Sequence, residues 1–82
     1  NNISHIINPK DLSNKEQKYL LVSVVHNECA IADAIATGLI AMDVKDIINF
    51  SNKNNIASML IISNDSHTKK YYSKKFLKYI EN

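Results

Sequence analysis

The stretch that most limits what this chain can fold into is residues 12–26. Ser13 followed by Glu16 has the spacing of a capping box, in which the hydroxyl accepts from the N–H three residues on and the carboxylate reaches back to the cap. The run Lys15-Glu16-Gln17-Lys18 then favours helix before any valine arrives. Wound at about 100° per residue, Leu20, Leu21, Val22, Val24 and Val25 cover more than half the circumference. Glu16, Tyr19, Ser23 and His26 form the stripe left for water. A helix apolar over so wide an arc needs partners on several sides, so it is expected at the centre of a bundle, with Leu20 and Val24 buried. The competing reading is a strand over residues 19–26, since Val22, Val24 and Val25 are β-branched.

The rest of the chain can be divided around that centre. Residues 1–11 read as a lead-in, where Ile3, Ile6 and Ile7 dock as a short strand or a turn of helix and Asn8-Pro9 ends whatever precedes it. A second helix is expected from Cys29 to about Ile40, with Ile31, Ile35, Leu39 and Met42 on one face and Gly38 as a C-cap or a point of close packing. Asp43 can cap a third helix that turns Val44, Ile47 and Ile48 inward. Residues 52–55 read as a loop, and 56–63 as a short buried helix or a strand. Asn64-Asp65-Ser66 supplies an N-cap for a last helix over 67–81, with Tyr72, Phe76, Tyr79 and Ile80 opposite Lys70, Lys74 and Lys78. The fold class expected is therefore all-α, a compact bundle of about five short helices over a single domain, 1–82. The alternative is a small α/β layer with strands near 19–26 and 57–63 and helices over 28–50 and 67–81.

Composition narrows the function classes. A single Cys excludes an internal disulfide, and a zinc site would need the scattered His5, His26 and His67. No apolar run approaches the roughly 18 residues of a membrane span, and the N-terminus lacks the charged-then-apolar order of a signal peptide. The expected location is the cytoplasm. The missing initiator Met is read as the mark of a domain excised from a longer protein, and a processed or trimmed N-terminus would look the same. Residues 1–63 carry five Lys and six acids, a net of −1, whereas 64–82 carry five Lys and two acids, a net of +3. All ten basic residues are Lys, which disfavours the bidentate phosphate and base recognition that Arg provides.

Little in the chain has the spacing of catalysis. His26 and Cys29 make a His-x-x-Cys pair, read as a helix-end His beside a small buried Cys. Asp43 and Asp46 resemble a carboxylate pair but sit where caps and helix-start acids belong. With one Gly there is no phosphate-cradling loop. The expectation is no enzyme, no cofactor and no metal. Ala34, Gly38, Val44 and Ile47 reproduce part of a helix-turn-helix spacing, yet that reader helix would present Asp43 and Asp46 to phosphates. Lys70, Tyr71, Lys74 and Lys78 are the candidate partner-binding residues on the last helix.

At residues 12–34 the pattern Leu12-Ser13-x-x-Glu16-x-x-Tyr19-Leu20-Leu21, then Val24-Val25-His26-Asn27-Glu28 and Ala32, resembles the start of the helicase-binding domain of bacterial primases. The resemblance implies an all-helical, non-catalytic docking module whose partner is a replicative helicase; nucleic acid is a lesser expected partner, suggested by Lys70, Lys74 and Lys78. Two alternatives remain open: a small helix-turn-helix DNA-binding regulator, and a small α/β domain without an assigned activity.

Overall fold

The computed structural model describes residues 2–11, 17–63 and 67–80. Strands β1 (Asn2–Asp11) and β2 (Gln17–His26) come first, followed by helices α1 (Cys29–Ile40) and α2 (Val44–Lys53). Strands β3 (Ala57–Ser63) and β4 (Thr68–Tyr72) then lead into the short helix α3 (Lys74–Ile80). The strands form one antiparallel sheet in the order β1-β2-β3-β4. The all-α bundle is thereby overturned, and the α/β alternative describes the chain better.

The central correction concerns residues 17–26, which form a strand and not a helix. Leu20, Val22 and Val24 point to one face of the sheet. Ser23 and Val25 point to the other, and all five are buried. A central strand covered on both faces reads as a continuous apolar run, and projected on a helix the same run covers most of the circumference. The burial expected of Leu20 and Val24 holds, at 2% and 0% exposure; the element carrying them is different. The proposed capping pair, Ser13 and Glu16, lies outside the described residues.

One face of the sheet holds the core. Register places Val22 between Ile6 and Leu60, and Leu20 beside Ile62. Against this face pack Ala32, Ala36, Leu39 and Ile40 of α1 and Ile47 of α2. Of the face expected to turn inward, Leu39 is buried and Ile35 and Met42 pack partly buried against the core, whereas Ile31 is exposed and Ala32, Ala36 and Ile40 are buried in addition. The boundaries of α1 are as read from the sequence. Asp43 does cap α2, its Oδ1 accepting from the Lys45 N–H at 3.5 Å. The α1–α2 pair lies flat on the sheet, so it is a packing layer and not a projecting helix-turn-helix.

Gly38 is neither a cap nor a contact. It lies inside α1, and a Cβ built there meets nothing within 4 Å. Its φ is not positive, so the flexibility of Gly serves no conformational need. Gly38→Ala is therefore expected to stabilise the fold by about 0.5–1 kcal/mol, read as a raised urea midpoint.

On the opposite face the chain closes with α3. Tyr72 pairs with Met59 in register, and the Tyr72 and Phe76 rings stack with centroids 5.7 Å apart. Three fully buried serines join α2, β3 and the start of α3. Ser58 Oγ donates to Ser51 Oγ at 2.7 Å, and Ser73 Oγ donates to the Ile56 carbonyl at 2.7 Å while accepting from the Ser58 N–H at 2.9 Å. Ser73 also caps α3, accepting from the Phe76 N–H, and Asn52 Oδ1 accepts from the Lys74 N–H. The continuous helix expected over 67–81 is thus a strand, a serine corner and a two-turn helix. The proposed cap at 64–66 falls outside the described residues.

Candidate functional site

Polar side chains concentrate at one end of the sheet, where the start of β1, the end of β2 and the first turns of α1 meet. Because side chains alternate along a strand, adjacent residues of β1 serve opposite faces. Ser4, buried at 6% exposure, points toward α1 and donates its hydroxyl hydrogen bond to Asp33 Oδ1. His5 points the other way and places Nδ1 2.6 Å from Ser23 Oγ on β2. Among the described residues none bonds its Nε2, so that nitrogen can meet a ligand. Asp33 sits on the exposed side of α1, where its backbone carbonyl also accepts from Thr37 Oγ1 at 2.8 Å.

The end is tied off by two further contacts. Asn2 Nδ2 donates to the Asn27 carbonyl at 2.8 Å, and His26 Nδ1 accepts from the Glu28 N–H at 3.0 Å. These hold the bend between β2 and α1, so that β1 and α1 flank β2 in a fixed relation. The result is a carboxylate and an imidazole anchored on either side of one edge strand. This arrangement can donate to, or accept from, an oxygen-rich ligand.

The residues chosen from sequence fall elsewhere. Lys70 and Tyr71 lie exposed on β4, on opposite faces of the sheet, because Lys70 pairs with Ile61 and Tyr71 with Leu60. Lys74 and Lys78 lie on α3, so the four belong to two elements and form no single helical stripe. Cys29 opens α1 and is exposed, against the buried position expected of it. Asp43 is the α2 cap, and Asp46 stands in its first turn. No group of three or more His, Cys, Asp or Glu side chains able to hold a metal ion occurs among the described residues. Nor, among them, is any helix long and apolar enough to cross a membrane.

The two pairs found here, Ser4–Asp33 and His5–Ser23 on opposite faces of β1, were not singled out as a site by spacing. Ser4 and Asp33 are 29 positions apart and His5 and Ser23 are 18 apart. Only a strand reading of the Ile-rich start of β1 would have placed Ser4 and His5 on opposite faces.

Comparison with known proteins gives this geometry a family. The sequence pattern of the ApbE family matches residues 1–60, which takes in β1, β2, α1 and α2. The chain is 32% identical over 73 residues to the FAD:protein FMN transferase of Vibrio cholerae serotype O1 (strain ATCC 39541), covering 89% of this chain and 22% of the relative. It is similar to the solved flavin transferase ApbE from Vibrio cholerae, with a TM-score of 0.64 at 31% identity over 71% of this chain and 19% of that one. A histidine-to-glycine variant of that enzyme superposes with a TM-score of 0.65 at 30% identity, covering 72% and 19%. The chain thus spans about a fifth of the length of the relatives it matches.

These likenesses overturn the primase reading. Of the residues 12–34 that carried it, 17–26 are a sheet strand and 29–34 the start of a sheet-packed helix, and the relatives matched are transferases rather than helicase-docking modules. The expectations of a helicase partner, of a secondary nucleic-acid partner and of a non-catalytic lineage fall with it. With a family pattern running through 60 of its 82 residues, the chain belongs to the ApbE family.

Proposed function

We propose that the chain forms part of a flavin transferase that moves FMN from FAD to a protein, and that the β1–β2–α1 end is its share of the reacting site. The observation that carries this reading is the family match over residues 1–60, which includes both polar pairs at that end, Ser4–Asp33 and His5–Ser23. Taking FMN out of FAD breaks the diphosphate. A nucleophile of the acceptor protein forms a bond to the FMN phosphorus and loses its proton. The bond to the adenylate oxygen breaks, and AMP leaves with the electron pair. Charge shifts among phosphate oxygens throughout, so the protein's task is to hold donors where that charge develops. His5, with Nδ1 engaged by Ser23 and the ring exposed, is suited to that task. Asp33, on the other face of β1, is fixed through Ser4.

The reading can be tested in a complete fold. A chimera of the Vibrio cholerae enzyme carrying this chain in place of its matching segment is expected to retain transfer. Covalent flavin fluorescence on an acceptor protein and AMP release are the two readouts. His5→Ala in that chimera is expected to lower transfer about 10²-fold or more. A chimera that melts with the parent's cooperativity and binds FAD, yet transfers nothing, removes the proposal.

A further inference from the structure

We propose that the end of the sheet beside α3 carries a second site, a pocket for a phosphate group lined by Lys75, His26 and Asn55. It does not rest on the flavin-transfer reading. The pocket is a cavity of about 170 Å³ where the end of β2, the loop between α2 and β3, and α3 meet. Its apolar wall includes Val25 and Ala57, which are neighbours across the β2–β3 ladder. None of Ser4, His5, Ser23 and Asp33 lines it.

The chemistry of the lining points to an anion. Of the described lysines, Lys75 alone is not exposed. A stem laid on apolar surface would account for that burial, but this cavity also gathers donors and holds no acid. No Asp or Glu lines it, and among the described residues Lys75 has no ion pair or side-chain hydrogen bond. The Glu28 N–H can only donate, so His26 Nδ1 accepts it at 3.0 Å. The neutral His26 ring therefore carries its proton on Nε2, and no described residue takes that proton. The Asn54 amide is already engaged by the Phe50 carbonyl, whereas nothing described engages the Asn55 amide. The N–H groups that open α3 take no part, since those of Lys74 and Phe76 donate to Asn52 and Ser73. One cation and two further donors thus line a small cavity with no negative group to answer them. Charge-assisted hydrogen bonds to an oxyanion satisfy all three. The donors come from three separate elements, which suits a tetrahedral phosphate better than a carboxylate with both oxygens in one plane.

The test is a titration of inorganic phosphate into the 82-residue chain, followed by 1H–15N spectra at constant ionic strength held with sodium chloride. Saturable shifts are expected at the amides of His26, Asn55 and Lys75, with a Kd of about 1 mM or tighter. Lys75→Met is expected to weaken binding about tenfold or more. Lys74→Met, at the exposed neighbour, is expected to leave it unchanged, and Lys75→Arg to retain it. Shifts that never saturate overturn the proposal, as do equal losses in Lys74→Met and Lys75→Met. Tighter binding of acetate at the same residues also overturns it, since the pocket would then be a carboxylate site. AMP separates the two sources of a phosphate group: binding tighter than inorganic phosphate assigns the pocket to a nucleotide, and weaker binding assigns it to the free ion. Should Lys75→Met fail to fold, the wild-type and Lys75→Arg titrations decide.

Discussion

Replacing Leu20 with Ala is expected to lower the unfolding free energy by about 2–5 kcal/mol. Leu20 is 2% exposed on β2, the strand that carries β1 on one side and β3 on the other, and it packs in the same cluster as Leu39, Ile47 and Leu60. Removing its terminal carbons leaves a void that strands on both sides hold open. Single domains keep only about 5–15 kcal/mol in total, so the loss is a large fraction of what an 82-residue chain can spare. Urea unfolding followed by far-UV circular dichroism measures it. A loss under about 1 kcal/mol would show that β2 is not the central strand.

Ser73→Ala is expected to cost about 1–3 kcal/mol, well beyond what one lost methylene-sized group implies. Its Oγ satisfies the Ser58 N–H and the Ile56 carbonyl and meets the Phe76 N–H. Alanine would leave buried backbone groups without partners at the corner that joins β3, β4 and α3. Because this corner launches α3, hydrogen exchange should accelerate first in α3 and then at the end of β3. A uniform acceleration across the sheet would assign the effect to global stability instead. Ser73→Thr keeps the oxygen and is expected to recover most of the loss.

How far the fold could be read from sequence depended on which elements are locally determined. The bounds of α1 and the Asp43 cap of α2 follow from helix periodicity and capping, which act within a few residues. Of the outer strands, β4 did not announce itself, and β1 was open between a short strand and a turn of helix. β1 contains Asn8-Pro9, which reads as an interruption. It is accommodated because β1 is an edge strand, where a missing N–H need not break a ladder. β4 is the other edge, and its sequence, Thr68-Lys69-Lys70-Tyr71-Tyr72, is rich in lysine, as edge strands that resist further pairing are. The i+4 spacing of Lys70, Lys74 and Lys78 imitated one helix across what is a strand and then the separate helix α3. The candidate site was hidden for a related reason. Its contacts join β1 to α1 and β1 to β2, and no local spacing records a pairing set by the sheet.

The alternation at Ser4 and His5 does more than aim two side chains. Sheet register has a period of two, so sliding a strand by one residue exchanges its faces. Such a slip of β1 against β2 would turn His5 toward α1 and Ser4 away from it. The hydrogen bond to Asp33 and the bond between His5 and Ser23 would then be lost together. Neither contact can be made while the other is out of place. The two polar pairs therefore act as a key cut on both edges, accepting one alignment of an outer strand whose exposed Ile3 and Ile7 would tolerate several.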